Sequence, residues 1–218
     1  MKNLIYLVAI IAFAITGCKK DNITGDGPVE TQQRNLRDFT AVSVSGASQT
    51  FITRGNEFGV SIKAYSTLLP YLESRVVNGT LKIYYKSGTR VRNDNSVITI
   101  TMPYLSGITS EGSGNVSATG DFDGQDSFHI KVSGSSDISV QSGSAKTFDS
   151  EIEGSGNIRA FGFSAESAKV KISGSGNTEI AVSKMLDAKI SGSGNVYYKG
   201  DPAQINTNIS GSGKVIRQ

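Results

Sequence analysis

A four-residue segment related to Gly-Ser-Gly-Asn recurs through the second half of this chain and constrains its fold more than any other feature. Successive copies lie 22, 20, 20, 18 and 19 residues apart. A period near twenty residues is typical of a β-solenoid, in which each repeat forms one coil. Hairpin loops are the alternative, since Gly-Asn turns also join antiparallel strands. The copies begin at Gly112, Gly134, Gly154, Gly174, Gly192 and Gly211.

The residues around these copies alternate between apolar and polar. The residue directly before each glycine is Ser or Glu in every copy. Such alternation places one column of side chains in a core and the next in solvent. Hairpins do not require aligned columns, so we favour an all-β solenoid for residues 106–218. The two predicted inward columns are Ser110, Val132, Ile152, Ile172, Ile190 and Ile209, and Val116, Ile138, Ile158, Thr178, Val196 and Val215.

The repeated corner has a physical explanation. A coiled chain reverses direction at the same place in every coil, and glycine reaches positive φ there without a Cβ clash. Stacked Ser and Asn side chains are expected to form hydrogen-bonded ladders at a spacing of about 4.8 Å. A second turn in each coil differs from copy to copy, as in residues 141–146, 163–167 and 182–185. The variable surface is therefore expected on that side.

The N-terminus carries the features of a bacterial lipoprotein signal. A short basic start precedes an apolar run from Leu4 to Ile15, which is too short to span a bilayer. Residues 1–17 are therefore predicted to be a signal peptide. Ile15 to Cys18 resembles a lipobox, which predicts that Cys18, the only cysteine, is lipidated. Residues 18–35 are polar and rich in turn-formers, which predicts a flexible tether.

Residues 36–105 follow a different pattern and are predicted to form a β-rich N-terminal lobe. The segment ending at Gly46 resembles one more strand and corner, but 66 residues separate it from Gly112. Strand-like alternation and an Asn78-Gly79 hairpin turn occupy this gap. One short helix is predicted within residues 66–75, limited by Pro70. Because solenoid ends need caps, the lobe is expected to cover the first coil.

Composition limits the classes of function. The formal net charge of +3 arises from 22 Lys and Arg interspersed with 19 Asp and Glu, so the chain has no basic tract for nucleic acid. Glycoside cleavage needs two juxtaposed carboxylates. Glu111, Glu151 and Glu153 are predicted to share one face, but neither a basic partner nor a cleft is evident beside them. The sequence therefore predicts no catalytic residue and no enzymatic activity.

Other candidate groups also favour structural roles. The acidic segment 121–126 lacks the spacing of a calcium loop and is predicted to be a polar turn, so no metal or cofactor is expected. The single histidine, His129, is predicted to be structural. Tyr84-Tyr85 and Tyr197-Tyr198 are each predicted to place one ring outward, where it can stack on a sugar. Structural packing of both pairs is the alternative, and the ligand-binding residues stay unassigned.

Several motifs together resemble one known family. They are a lipoprotein signal, a Val-Ser-Gly strand end, a Leu-Lys-Ile strand after Asn78-Gly79, and serial Ser-Gly-Ser-Gly corners. Their order is similar to that of the head GIN domain family of auto-transporter adhesin-like proteins, from about Asp38 to the C-terminus. The most specific parts are residues 98–105, 189–195 and 197–202. The resemblance implies a right-handed parallel β-helix in the envelope of Bacteroidota-like bacteria.

These observations lead to one functional prediction with two alternatives. The protein is expected to be a membrane-anchored binding or adhesive module, held at the outer membrane or cell surface by lipid on Cys18. Its expected ligand is a glycan or a surface protein, and a monomer is favoured. An envelope structural protein is the first alternative. A glycan-active β-helix enzyme is the second.

Overall fold

The computed structural model describes residues 21–218. The predicted signal peptide and Cys18 lie outside the described residues. The strands are β1 Asp21–Thr24, β2 Val29–Gln33, β3 Ala41–Gly46, β4 Gln49–Arg54, β5 Gly59–Tyr65, β6 Leu72–Val77, β7 Thr80–Tyr85, β8 Thr89–Arg92, β9 Val97–Met102, β10 Gly107–Gly112, β11 Asn115–Thr119, β12 Phe122–Gly134, β13 Ile138–Val140, β14 Gly143–Gly154, β15 Ile158–Gly174, β16 Thr178–Gly192, β17 Val196–Lys199, β18 Gln204–Gly211 and β19 Val215–Arg217.

Parallel strands stack coil upon coil, which confirms the predicted all-β solenoid with coils of about twenty residues. Ile152 pairs with Ile172, and Ile172 pairs in turn with Ile190. We call the strands that end at the glycine corner the first face: β3, β10, β18 and the C-terminal parts of β12, β14, β15 and β16. The strands that follow the corner form the second face: β4, β11, β13, β17, β19 and the N-terminal parts of β15 and β16.

Each corner requires glycine because the chain passes close to the corner below. The first glycine of each corner has a φ between 115° and 135°. A Cβ atom at Gly174 would lie 2.1 Å from the carbonyl oxygen of Gly154, a distance that no side chain tolerates. The amide Nδ2 of Asn177 donates to Oδ1 of Asn157 at 2.9 Å, and Asn195 donates to Asn177 at 3.1 Å. The expected side-chain ladder is therefore present.

The interior consists of stacked aliphatic columns and a group of phenylalanines. Both predicted inward columns are buried from Ser110 to Ile190 and from Val116 to Val196. The rings of Phe128 and Phe163 lie 4.6 Å apart between centroids. Burial of each large apolar side chain contributes about 1.5–3 kcal/mol. The last coil differs. Ile209 pairs with Ile190 in the predicted column, but it is 41% exposed because the described coils cover it on one side only.

The first coils stack in an order that differs from their order in the chain. Strand β3 lies between β10 and β7, and β4 lies between β11 and β9. Residues 80–102 therefore form a coil outside residues 41–54, although they come later in the sequence. The chain then returns to β10, where the amide of Ser106 donates to the carbonyl of Thr40 at 2.7 Å.

An antiparallel layer covers this outermost coil. Strand β5 pairs with β9 and β2, and β6 pairs with β7. Leu68, Leu69 and Leu72 are buried beneath the layer. The N-terminal residues thus act as the expected cap, and they share one seventeen-stranded sheet with the repeats.

Two local expectations are wrong. The predicted flexible tether, residues 18–35, contains β1 and β2, which pair with β8 and β5. Its polar composition reflects strands that gain backbone hydrogen bonds while their side chains stay exposed. The predicted helix is only a 3₁₀ turn at Leu69–Tyr71, because β6 begins at Leu72 and pairs with β7. Within residues 21–218 no helix reaches the length and hydropathy that a membrane span requires.

Candidate functional site

One continuous row of side chains projects outward from the second face. Parallel pairing aligns these residues, one from each coil, along the solenoid axis. Large side chains stand near both ends of the row, with small and charged ones between them. The row consists of Phe51, Ser117, Ser139, Arg159, Glu179, Tyr197 and Ile216.

A depression of about 290 Å³ interrupts this row. Two serines, Ser117 and Ser139, occupy consecutive coils and leave a low floor between the larger side chains of Phe51 and Arg159. Phe51 is 44% exposed, so its ring forms an apolar wall in contact with solvent. We call this depression the Phe51–Arg159 groove, and Gln49, Thr50, Asn115, Val116 and Asp137 complete its lining. The groove combines an aromatic wall, hydroxyl groups and a charged wall.

The charged wall of the groove is an ion pair fixed by the asparagine ladder. Nη2 of Arg159 lies 3.0 Å from Oδ2 of Asp137. Oδ1 of Asp137 accepts hydrogen bonds from the backbone and side-chain amides of Asn157, at 3.0 and 2.8 Å. Burial alone would raise the pKa of Asp137, but the hydrogen bonds from Asn157 and Arg159 outweigh it and lower that pKa. The carboxylate therefore stays ionised and holds the guanidinium in place.

The carboxylates considered for catalysis lie on the first face, as expected, but their surroundings differ from the prediction. Glu151 has two basic partners that were not evident from the sequence: Lys171 contacts it from one side, and Lys131 lies 2.9 Å away on the other. Hydrogen bonds from Lys171 and Lys131 lower the pKa of Glu151. Glu153 lies 3.4 Å from Lys131, and Glu111 accepts a hydrogen bond from Ser45. This arrangement keeps Glu151 ionised, which is unlike a general acid.

The second-turn side, where sequence variation is expected, carries a shallow groove of about 480 Å³. Ala145, Ala165 and Val182 line it. Two exposed ion pairs stand in successive coils beside this groove. Lys146 lies 2.7 Å from Asp126, and Lys184 lies 2.7 Å from Glu166. The alternating charges offset one another across the coils.

The remaining candidates divide between core and surface. Tyr198 is buried and Tyr197 projects outward, as predicted, whereas Tyr84 and Tyr85 are both partly exposed. His129, which was predicted to be structural, is exposed on the first face. In the acidic segment 121–126, Ser144 donates to Asp123 at 3.0 Å. No group of three or more metal-ligating side chains occurs among the described residues.

The residues of the Phe51–Arg159 groove were not predicted from the sequence. One signal was present: Thr50 and Ile52 fall on the inward positions of β4, so Phe51 is a large apolar residue on the outward position. A single exposed apolar side chain is common on protein surfaces, so this signal alone does not identify a site. The serine floor gives no such signal, because outward serines occur in most coils.

Solved structures share this architecture. A putative adhesin from Bacteroides fragilis is 22% identical, with a TM-score of 0.70, over 90% of this chain and 100% of its own. A putative adhesin from Parabacteroides merdae is 21% identical, with a TM-score of 0.58, over 91% and 99%. A putative lipid binding protein from Parabacteroides distasonis is 25% identical, with a TM-score of 0.54, over 91% and 100%.

Comparison with curated proteins gives no match. The family described as "Putative auto-transporter adhesin, head GIN domain" matches residues 38–202, which is most of the chain and includes both faces of the solenoid. The expected resemblance is thereby confirmed. This chain belongs to the head GIN domain family.

Proposed function

We propose that the protein is a lipid-anchored adhesive module of the cell envelope, which binds a glycan in the Phe51–Arg159 groove. The family description and the names of the structural relatives support an adhesive role. The lipobox-like residues that end at Cys18 support a membrane anchor. The observation that carries the proposal is the groove itself, where an exposed aromatic ring and a paired guanidinium stand on opposite sides of a serine floor.

A glycan suits this groove for chemical reasons. The apolar face of a sugar ring stacks on an aromatic side chain, and its hydroxyl groups both donate and accept hydrogen bonds. Phe51 offers the ring face, while Ser117, Ser139 and Asn115 offer hydrogen-bonding groups. Arg159 gives one nitrogen to Asp137 and keeps further N–H donors for a ligand. Mixed apolar and polar lining of this kind is typical of ligand sites.

The direction of the groove also favours a chain-like ligand. Consecutive coils repeat at about 4.8 Å along the solenoid axis, which is close to the repeat of sugar units in an extended polysaccharide. Phe51 and Arg159 are three coils apart, so a bound chain would contact both with two units between them. A protein ligand is the alternative occupant, and it predicts that wild type binds no arrayed glycan.

A glycan array with the full chain in detergent tests the proposal. Wild type is expected to bind a restricted set of glycans, and Phe51→Ala and Arg159→Ala should each reduce that binding at least tenfold. Thr53→Ala, on the same strand but outside the groove, is the matched control and should bind normally. If wild type binds no glycan, or if both groove variants bind as well as Thr53→Ala, the proposed site is wrong.

The array also separates the two alternatives. An envelope structural protein would bind no glycan, and its loss would alter envelope integrity instead. A glycan-active enzyme would shorten the arrayed sugars, which mass spectrometry of the released products detects. Retention of intact glycans supports the binding module.

The anchor is tested separately from the groove. Cys18→Ser removes the sulfur that would receive lipid, so this variant should appear in the soluble fraction of the cells. Lys19→Ser, at the neighbouring position, should remain with the membranes and serves as the control. Membrane retention of Cys18→Ser would contradict lipid anchoring and leave the glycan proposal unaffected.

A further inference from the structure

We propose that a second pocket, at the junction of the cap and the first glycine corner, binds a single neutral sugar unit. We call it the Tyr85 pocket. It has a volume of about 410 Å³. It shares no lining residue with the Phe51–Arg159 groove, so this proposal stands independently of the proposed function. The side chains that carry its chemistry are those of Ser45, Tyr84, Tyr85, Thr89, Asp94 and Ser113.

The pocket forms where the coils stop stacking in their sequence order. The first corner of the solenoid, at Gly46, is followed outward by the strand that ends in Tyr85 rather than by another glycine corner. The ring of Tyr85 lies against that corner: a Cβ atom at Gly46 would be 3.5 Å from its Cδ2. Residues 89–94 then pass beside the ring and line one side of the space.

One oxygen of Asp94 is left without a donor beside this pocket. Oδ1 of Asp94 accepts three hydrogen bonds: from the Tyr85 hydroxyl at 2.9 Å, and from the amide and the hydroxyl of Ser96 at 2.9 and 2.6 Å. Oδ2 is shielded from water and has no partner among residues 21–218. A buried acceptor without a hydrogen bond is destabilising. A ligand hydroxyl at the Asp94 end of the pocket would donate to Oδ2 and satisfy it.

The rest of the lining selects the class of ligand. Burial raises the pKa of Tyr85, so its phenol stays protonated and continues to donate to Asp94. Among the described residues that line the pocket there is no Lys or Arg, so no basic side chain there compensates an anionic ligand beside Asp94. Hydroxyl groups from Ser45, Thr89 and Ser113 can both donate and accept. A neutral sugar suits this lining because its hydroxyl groups can donate to Asp94. They can also exchange hydrogen bonds with the hydroxyl groups of the wall.

A small organic cation is the competing ligand. Cation sites rely on open aromatic faces, and Arg75 already covers the Tyr84 ring, with its guanidinium carbon 5.3 Å from the ring centroid. Only Tyr85 remains, and its ring rests on Gly46. The hydroxyl groups of the pocket add nothing to the binding of a quaternary ammonium. The geometry therefore favours the sugar.

Calorimetric titration of the full chain, purified in a detergent without sugar head groups, tests this site. The probes are the methyl glycosides of glucose, galactose, mannose and fucose, with tetramethylammonium as the cation. At least one glycoside should bind. Asp94→Asn keeps Oδ1 as an acceptor for Tyr85 and Ser96 but turns Oδ2 into a donor, so its affinity should fall at least tenfold. Asp126→Asn, an exposed carboxylate on the second-turn side, should leave affinity unchanged.

A further variant keeps the test decisive. Ser113→Leu fills the pocket from an exposed corner position and should abolish binding even if Asp94→Asn fails to fold. Asp94 and Ser113 both lie outside the Phe51–Arg159 groove, so loss of glycoside binding in their variants separates this pocket from the groove. Failure of all four glycosides to bind would overturn the proposal. So would binding that persists in both Asp94→Asn and Ser113→Leu, or binding of tetramethylammonium alone.

Discussion

From β10 to β19 each coil stacks on the coil that precedes it in the chain, whereas from β3 to β9 the later residues stack outside the earlier ones. Both regions use the same parts: Gly46 pairs with Gly112 as Gly112 pairs with Gly134, and buried aliphatic residues fill both interiors. The difference shows that neighbouring coils must match in strand register and in buried side chains. The order in which these coils follow one another along the chain can vary. It also places the cap and the Tyr85 pocket where the regular order ends.

The largest expected effect compares the same repeat position in two coils. Ile172→Asp buries an unpaired carboxylate between two coils and should lower the free energy of unfolding by at least about 3 kcal/mol. Ile209→Asp should cost less than about 1 kcal/mol, because Ile209 is 41% exposed. Urea unfolding measures both. Equal losses would contradict the burial difference between the coils.

The neighbouring outward lysines, Lys171 and Lys189, differ in their surroundings. Lys171 contacts Glu151, so Lys171→Asp would place two carboxylates together and is not neutral. Lys189→Asp, on the exposed side of the next coil, should have a free energy of unfolding within about 0.5 kcal/mol of that of wild type. A large loss at this position would show that the strand alternation is misassigned.

The second comparison sets a stacked corner against a hairpin turn. Gly174 and Gly79 both have positive φ, at 135° and 71°. Gly174→Ala should lower the free energy of unfolding by more than about 3 kcal/mol. Backbone strain of about 1–3 kcal/mol adds to a steric clash with Gly154. Gly79→Ala should cost about 1–2 kcal/mol, since nothing lies within 4 Å of its added Cβ. Thermal unfolding of both variants ranks them, and the reverse order would contradict the stacked-corner geometry.

The third comparison concerns the ladder of asparagines. Asn177 accepts hydrogen bonds from the backbone and side-chain amides of Asn195, at 3.0 and 3.1 Å. Asn177→Ala should therefore cost about 1–2 kcal/mol. Asn115, at the end of the ladder near the N-terminal region, accepts one long bond of 3.3 Å from Asp137, and Asn115→Ala should cost less than about 0.5 kcal/mol. Similar losses in denaturant titrations would argue that the ladder adds no stability of its own.

The smallest expected effect depends on pH. The folded-state pKa of Glu151 is lowered by Lys171 and Lys131, so its contribution is present above the ordinary pKa of glutamate. It is lost as pH falls through the lower folded value. Because the pair is partly screened by solvent, Glu151→Gln should cost about 1 kcal/mol or less at pH 7. Its difference from wild type should shrink toward pH 3, and a difference that grows on acidification would reverse the assigned sign.

The repeat coils were predictable because each one recurs at a fixed interval and its neighbours in space are its neighbours in sequence. Ile152, Ile172 and Ile190 therefore revealed their shared column directly. The pairing of β3 with β7 was not predictable, because no period links Val42 to Leu81. The strands in the predicted tether were missed because their side chains are polar. Backbone hydrogen bonds hold these strands and do not require an apolar pattern. Among the groove residues, Phe51 breaks the alternation of β4 because it is apolar on an outward position. Ser117, Ser139 and Arg159 fit the expected polar outward positions and gave no signal.

The central functional claim is that a ligand occupies the low serine floor between Phe51 and Arg159. Ser139→Phe fills that floor with a ring and leaves both walls in place, while Ser173→Phe adds the same ring to an outward serine of the first face. Titration of both variants with the glycan that binds wild type most tightly compares them directly. The proposal predicts that Ser139→Phe loses binding at least a hundredfold and that Ser173→Phe binds like wild type. Undiminished binding by a folded Ser139→Phe variant would contradict it.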